Sequence, residues 1–109
     1  MILYNITFNV EDDIKKQWLE YMKENFIPTM VHSGILSMPV LSELLIEEPQ
    51  GTSYALHFQV KNLEELRNFQ HKYWRSIAEA LYKKFGNKVV FFPTEMKVIY
   101  ANNIKEKPI

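Results

Sequence analysis

Cysteine is absent from the 109-residue sequence. The chain therefore cannot form disulfides, thiolate nucleophiles or cysteine-ligated zinc and iron–sulfur sites. Only three glycines are present, and they form no phosphate-binding loop. No apolar run approaches the roughly 20 residues of a membrane-spanning helix, and the N-terminal segment lacks the pattern of a signal peptide. We therefore expect a cytoplasmic protein with no membrane association.

An excess of either charge is also lacking, because Lys plus Arg and Asp plus Glu both number 13. Binding to nucleic acid depends largely on clustered cations, and the sequence has no basic stripe. No nucleic-acid partner is predicted. What the chain does have is 47% hydrophobic and 14% aromatic residues, which is enough to form a core. We predict one domain over residues 1–100 and a polar C-terminal tail over residues 101–109.

Hydrophobic periodicity predicts four strands and two helices. Alternating or continuous apolar patterns place the strands at 2–10, 35–47, 53–60 and 87–100. Apolar residues at helical spacing follow the first strand and the third strand, and they predict the two helices. The order β-α-β-β-α-β is that of an α+β, ferredoxin-like fold. It predicts an antiparallel four-stranded sheet of order 4-1-3-2 with both helices on one face.

Local signals set the expected helix ends. Asp12 or Asp13 is predicted to cap the first helix, and Asn62 the second. We expect the first helix to change direction near Ile27-Pro28, because the residue before proline avoids the helical region. Gly86 is expected to end the second helix.

Prolines support the predicted sheet order. Proline cannot donate to a strand ladder, so it belongs on edge strands or at bulges. Pro39 and Pro93 lie in the second and fourth strands, which the predicted order places at the edges. A bulge at Pro93 would also shift which side chains share a face.

The edge strands carry apolar residues on both faces, which is unusual for a monomer. In the fourth strand one face would hold Val90, Phe92 and Met96, and the other Val89, Phe91 and Ile99. One face can pack against the helices of the same chain. The other face would have to be buried by a second molecule, so we predict a homodimer joined through the sheet face.

The central strands have a polar outer face, which carries Asn9 and the four residues Asn5, Thr7, His57 and Gln59. In a dimer these four residues would line an enclosed lumen. They are therefore candidate ligand-binding or dimer-lumen residues for an unidentified small molecule. The alternative, which we favour, is a hydrogen-bonded and hydrated interface.

Several segments resemble the dimeric α+β barrel superfamily, in which two ferredoxin-like subunits join their sheets. More narrowly, they resemble a short uncharacterised bacterial family of that superfamily, domain of unknown function 4286. The matching residues are M-I-L-Y-N-I-T (1–7), Trp18 with Met22-Lys23, Ile27-Pro28, Gly34, G-T-S-Y-A (51–55), and Phe85-Gly86-Asn87-Lys88 leading to Phe92 and Thr94. The resemblance covers the chain to about residue 100. It implies the fold and the dimer but assigns no catalytic residue.

Two positions depart from the pattern of that family. The family often has a histidine before the Ile-Pro pair, where this chain has Phe26. It often has an arginine between the Phe and Thr of the last strand, where this chain has Pro93. If those residues form a site in the family, this chain lacks part of it.

Histidines and aromatic residues are the remaining candidates for chemistry. His32, His57 and His71 have no metal-binding spacing or accompanying carboxylate motif, so no metal site and no cofactor are predicted. His57 is the only candidate base, although an interface histidine is the simpler interpretation. Trp18 and Tyr21 could line an aromatic pocket, but their helical spacing is more typical of core.

Polar residues inside the apolar stripes form a last group. Asn25 and Gln70 fall within those stripes, so each requires a hydrogen-bond partner.

Two hypotheses of function follow. The first, which we favour, is a small homodimeric domain that binds a ligand or serves assembly without catalysis. The second is implied by the superfamily resemblance: a cofactor-independent monooxygenase, or another small-molecule enzyme, acting on an aromatic or haem-like substrate.

Overall fold

A four-stranded antiparallel sheet carries two long helices on one of its faces. The structure is a computed structural model that describes residues 1–102. Its elements, in chain order, are β1 (Ile2–Val10), α1 (Lys15–Tyr21), α2 (Ile27–His32), β2 (Ser37–Glu43), β3 (Thr52–Val60), α3 (Leu63–Phe69), α4 (Arg75–Phe85) and β4 (Val89–Lys97). The sheet order is β2-β3-β1-β4, which confirms the predicted order read from the other edge. Most of the predicted tail, residues 103–109, lies outside the described residues.

The central strand β1 shows how the sheet divides core from surface. Its residues alternate, and Tyr4, Ile6, Phe8 and Val10 are completely buried beneath the helices. The neighbouring strand β3 repeats this pattern in register, with Phe58 opposite Tyr4. An alternating strand buries one face and leaves the other available, because successive side chains point to opposite sides.

The prolines lie at the sheet edges, but the expected bulge does not lie at Pro93. Pro93 pairs with Ile6 in an unbroken register along β1 and β4. Since β4 has only one neighbouring strand, a residue without an N–H group can be placed where no ladder bond is needed. The irregularity is instead in β2, between Ser37 and Val40, where Met38 has a positive φ of 52°. Both edge strands are shorter than predicted.

The first helix continues without interruption through Ile27-Pro28, where a change of direction was expected. Helix α1 passes through a π-helical turn, Met22–Phe26, directly into α2, and Ile27 has helical angles of φ −64° and ψ −46°. The N–H of Ile27 donates to the carbonyl of Met22, five residues earlier. Pro28 then stands in the first turn of α2, and the wider turn before it reduces the clash that proline makes with a preceding carbonyl.

The second helix has the same construction, with α3 and α4 joined by a π-helical turn at Gln70–Trp74. Asn62 caps it as predicted, since its side-chain oxygen accepts the Glu65 N–H at 2.9 Å. Gly86 ends it with a φ of 63°.

The predicted cap of the first helix is wrong. Neither Asp12 nor Asp13 caps the helix, because their carboxylates have other partners. Asp12 accepts from the Thr52 hydroxyl at 3.0 Å, and Asp13 pairs with Lys88 at 2.6 Å.

Candidate functional site

The second face of the sheet has no helix packed on it. We call it the open face, and its members alternate with the core residues of each strand. It comprises Leu3, Asn5, Thr7 and Asn9 of β1, Ser53, Ala55, His57 and Gln59 of β3, Val40 and Ser42 of β2, and Val90, Phe92, Thr94 and Met96 of β4. This surface contains four of the six residues that the sequence proposes for a site.

Apolar side chains border the open face along both edge strands. Met38 and Val40 of β2 are 63% and 46% exposed. Val90, Phe92 and Met96 of β4 are 56%, 60% and 41% exposed. We call these five residues the apolar rims. Large apolar groups concentrated at a sheet surface mark a surface that binds another molecule.

Between the rims the two central strands form a polar strip, consisting of Asn5, Thr7, His57 and Gln59. Asn5 lies directly opposite His57, and the Asn5 amide donates to the Thr7 hydroxyl at 3.0 Å. All four side chains are half-buried. The strip therefore presents amide, hydroxyl and imidazole groups in one place, all of which can form hydrogen bonds.

A hydrogen-bonded cluster at one end of the open face was not found from the sequence. Asn9 and Ser53 face each other across β1 and β3, and both bind Glu48 of the β2–β3 loop. The Ser53 hydroxyl donates to the Glu48 carboxylate at 2.9 Å, and the Asn9 amide donates to it at 3.3 Å. The loop is thereby held at the open face. The only sequence signal is the G-T-S-Y-A segment, which indicates family resemblance and gives no sign of a contact with Glu48.

Gly51 makes that arrangement possible. Its φ is +72°, and a Cβ atom there would lie 2.7 Å from the carbonyl oxygen of Val10 and 2.8 Å from Oδ1 of Asn9. Both distances are shorter than a carbon atom tolerates. The loop can therefore approach β1 this closely only with glycine at position 51.

The other two proposed site residues, Trp18 and Tyr21, lie on the helix side of the sheet. Trp18 is completely buried, with its ring 4.7 Å from Tyr54 and 5.1 Å from Phe8 between centroids. Tyr21 is half-buried and packs edge-on against Phe85. The sheet separates this pair from His57, so the structure does not bring the two proposed groups together.

A small cavity between the two helices includes Tyr21, Asn25 and Thr29 in its lining and has a volume of about 150 Å³. Sites for small molecules usually measure at least about 300 Å³. This space is therefore too small for an aromatic ligand.

Three polar atoms in the core have no hydrogen-bond partner among the described residues. They are the hydroxyls of Tyr4 and Tyr54 and the indole nitrogen of Trp18. Burial raises the pKa of both tyrosines. Gln70 lies near the Tyr4 hydroxyl and offsets part of the rise in the pKa of Tyr4, although the two side chains form no hydrogen bond of standard geometry. Unpaired groups of this kind cost free energy in the fold.

Gln70 belongs to a charged cluster that bridges the second helix to β4. Arg67 binds Glu95 through two parallel hydrogen bonds of 2.7 and 2.9 Å, and Gln70 donates to the same carboxylate at 3.1 Å. The Arg67 hydrogen bond lowers the pKa of Glu95, and Glu95 in turn raises the pKa of Arg67. Gln70 thus has the partner that the sequence requires, while Asn25 is exposed.

The remaining histidines lie on the surface, His32 at the end of α2 and His71 in a π-helical turn. Among residues 1–102, no cluster of three or more His, Asp or Glu side chains is arranged to hold a metal ion. No helix in this range is long and apolar enough to cross a membrane.

The strand order and the helices on one face define a ferredoxin-like protein. Within that class, the family described as "Domain of unknown function (DUF4286)" matches residues 1–99, so the chain belongs to this family. The resemblance read from the sequence is confirmed. No curated protein matches the chain.

Solved structures share the fold at low sequence identity. A dimeric ferredoxin-like protein from an uncultured marine organism is 15% identical with a TM-score of 0.67, covering 94% of this chain and 97% of its own. A candidate antibiotic biosynthesis monooxygenase from Deinococcus radiodurans is 14% identical with a TM-score of 0.64, covering 95% and 98%. The hydroxynitrile lyase from Passiflora edulis is 13% identical with a TM-score of 0.62, covering 92% and 97%. These similarities establish the fold, which different activities share.

Proposed function

We propose that the protein is a homodimer joined through the open faces of its two sheets, and that it binds a small molecule or serves assembly without catalysis. The observation that carries the proposal is the pair of apolar rims on either side of a polar strip. A monomer would leave Met38, Val90 and Phe92 in water with more than half of each side chain exposed. A second copy of the same face would cover both rims at once. The dimeric state of a structural relative supports this arrangement.

The polar strip gives the dimer its proposed binding site. Two strips facing each other would place two copies of Asn5, Thr7, His57 and Gln59 around one enclosed space. Buried polar groups must be hydrogen-bonded, so the space would hold water or a small polar ligand. Hydrogen-bond donors and acceptors are both present, since each side-chain amide has an NH₂ group and a carbonyl oxygen, and each imidazole nitrogen can donate or accept. The same four residues therefore serve as the proposed ligand contacts.

The contribution of Phe92 can be approximated from its exposure. Burying a whole phenylalanine side chain is worth about 1.5–3 kcal/mol. Since 60% of Phe92 is exposed, its burial contributes roughly 1–2 kcal/mol per subunit, and two copies contribute about 2–4 kcal/mol. That range corresponds to a factor of about 30 to 1,000 in the dimer dissociation constant.

Replacing Phe92 with a charged residue tests the proposal. We expect Phe92→Glu to raise the dissociation constant by about 100-fold or more, because it removes this burial and places two like charges in the interface. Light scattering and sedimentation over a dilution series would measure the change. Leu63→Glu is the matched control, since Leu63 is 46% exposed on α3, away from the open face. A wild-type chain that is monomeric at micromolar concentration would refute the proposal.

A second candidate function, small-molecule catalysis, has one specific observation in its favour. Trp18 and Tyr54 are neighbours in the core, and each has an unpartnered polar atom that a ligand could satisfy. Two proteins of this fold are described as a candidate monooxygenase and a lyase. An aromatic or haem-like substrate would have to displace the packing around Trp18. Oxygen uptake with a hydroquinone, and absorbance changes with haem, test this function: their absence in the wild-type protein would exclude those two reactions.

A further inference from the structure

Strand β4 has one row of backbone hydrogen-bonding groups that no neighbouring strand uses. Among the described residues it pairs with β1 on one side and with no strand on the other. On the helix side a groove of about 740 Å³ lies between α4 and Phe91, so there is space beside the strand at this point. Unpaired N–H and C=O groups of this kind are a template for a strand of another molecule. We call this row the free edge of β4.

The hydrogen bonds at the two ends of β4 show which residues form its free edge. The N–H of Val98 donates to the carbonyl of Met1 at 3.0 Å, and the N–H of Glu11 donates to the carbonyl of Lys88 at 3.0 Å. Hydrogen-bonded and non-hydrogen-bonded residues alternate along an antiparallel pair. Because the register is unbroken, the backbone groups of even-numbered residues bond to β1 and those of odd-numbered residues point away from it. The free edge therefore consists of Val89, Phe91, Pro93, Glu95 and Lys97.

Pro93 stands at the centre of this free edge, and its ring nitrogen carries no hydrogen. A second copy that paired its own β4 here, antiparallel and with the fullest overlap, would place the two prolines opposite each other. The carbonyl of each Pro93 would then face a nitrogen that cannot donate. Two hydrogen bonds would be missing at the centre of the contact.

In its other properties β4 is well suited to pairing with a copy of itself. Residues 89–92 are Val, Val, Phe and Phe, and such residues favour association between strands. In the same register Val90 would lie opposite Met96 of the second copy, and both side chains are apolar and exposed. The strand has one glutamate and one lysine, so no net charge repels a second copy. Pro93 is therefore the feature of this strand that opposes pairing.

The opposite edge of the sheet, formed by β2, is interrupted in another way. Its register shifts between Ser37 and Val40, and the two residues between them are Met38, with a φ of 52°, and Pro39. A bulge bends an edge strand and disrupts its row of bonding groups. Each edge of the sheet thus contains a feature that opposes the addition of a strand.

We propose that Pro93 prevents β4 from pairing with the β4 of a second copy, which leaves the open face as the surface for self-association. Val90, Phe92 and Met96 of the apolar rims belong to the same strand. The surface that attracts a second copy therefore lies beside an edge on which that copy could pair, and the proline decides between the two contacts. The inference does not depend on the proposed homodimer, because the free edge is present in a monomer as well.

Restoring the missing N–H group tests this role. Pro93→Val supplies a donor at the centre of the free edge, and the two added hydrogen bonds should strengthen association through the edge roughly tenfold or more. A monomeric wild type should give a dimeric variant. A dimeric wild type should give larger species, because each dimer would have two free β4 edges. Sedimentation and light scattering over a dilution series measure the association, and an intermolecular-sheet band in the infrared spectrum identifies strand pairing.

Two control variants separate edge pairing from a loss of structure. Pro93→Lys restores the same N–H group but would place two like charges opposite each other in the paired edge, so it should associate no more than the wild type. Association caused by partial unfolding would appear in both Pro93 variants. Pro49→Val removes a proline from the exposed part of the β2–β3 loop, outside β4, and should behave as the wild type does.

The outcomes distinguish this inference from the proposed homodimer. Stronger association of Pro93→Val than of the wild type and of Pro93→Lys would support the inference. Equal association of Pro93→Val and the wild type would overturn it, as would equal association of the two Pro93 variants. A monomeric wild type together with an associating valine variant would uphold the role of Pro93 and overturn the homodimer.

Discussion

Removing the Tyr54 hydroxyl should stabilise the protein. Tyr54 is only 2% exposed, and its hydroxyl has no hydrogen-bond partner among the described residues. Leaving a buried polar group unpaired costs about 1–3 kcal/mol. Tyr54→Phe removes this cost and keeps the ring that packs on Trp18. Since a few van der Waals contacts of the oxygen are also lost, we expect a net gain of about 1 kcal/mol in the free energy of unfolding.

Denaturant titration is the assay, with the midpoint compared at an unchanged slope. A gain of about 1 kcal/mol in a chain of this size should raise Tm by roughly 4–8 °C. Protein concentration must be constant, because dimerisation makes Tm depend on it. Tyr100→Phe is the control, since Tyr100 is 81% exposed and its hydroxyl can bind water. We expect the control to differ from the wild type by less than about 0.5 kcal/mol.

The pH dependence gives a second signature of the same group. Burial raises the pKa of Tyr54 in the fold above its ordinary value of 10.0. Above pH 10 the unfolded chain therefore releases this proton more readily than the folded chain, and stability falls as pH rises. Tyr54→Phe should decline less steeply in this range. A loss of stability on Tyr54→Phe at neutral pH would refute the reasoning, because it would show that the hydroxyl has a favourable partner.

The other predictions concern the loop anchor and the charged bridge. Gly51→Ala should destabilise the fold by about 2–4 kcal/mol, because the residue has a positive φ and its new Cβ would make close contacts. The control Gly34→Ala should cost only about 1 kcal/mol, since Gly34 has a φ of 79° but open space around it. Equal losses of stability in a denaturant titration would contradict the steric argument. Glu95→Gln should destabilise at neutral pH, since the pKa of Glu95 is lowered by Arg67. This stabilisation is complete above the pKa of glutamate in the unfolded chain and is lost as pH falls through the lower pKa of the folded state. Urea titrations should therefore show the two proteins converging in acid, and a constant difference would show that the ion pair is not the cause.

Sheet and edges were predictable from the sequence because each rests on a local rule. The alternation in β1 indicated a strand with one buried face, and Pro39 and Pro93 indicated edges because proline cannot complete a ladder. The placement of Asn5, Thr7, His57 and Gln59 on one surface follows from the same period of two. What these residues bind is not encoded in such periodicity.

The features that the sequence did not predict depend on how different segments of the chain pack together. The helix continues through Pro28 and buries both Phe26 and Met30, which the sequence did not indicate because a wide turn before a proline has no local signature. The Glu48 anchor joins residues that are 39 and 5 positions apart, and it depends on a glycine whose neighbour is a carbonyl of another strand. The groove beside Phe91 requires the helix and the edge strand to be placed together, which no single segment specifies.

The π-helical turn at Met22–Phe26 also determines which sequence changes the first helix can accept. Trp18, Met22, Phe26 and Met30 are all buried although they are spaced four apart, and in a uniform α-helix each such step would rotate the side chain by about 40° away from the sheet. The wide turn absorbs part of this rotation, so it acts as a one-residue insertion already built into the helix. Deleting one residue there would convert the wide turn into an ordinary α-helical turn and leave Met30 in the core, whereas a deletion from a uniform α-helix would turn everything after it by about 100°. The turn is therefore a point at which this helix can lose one residue without changing which face it buries.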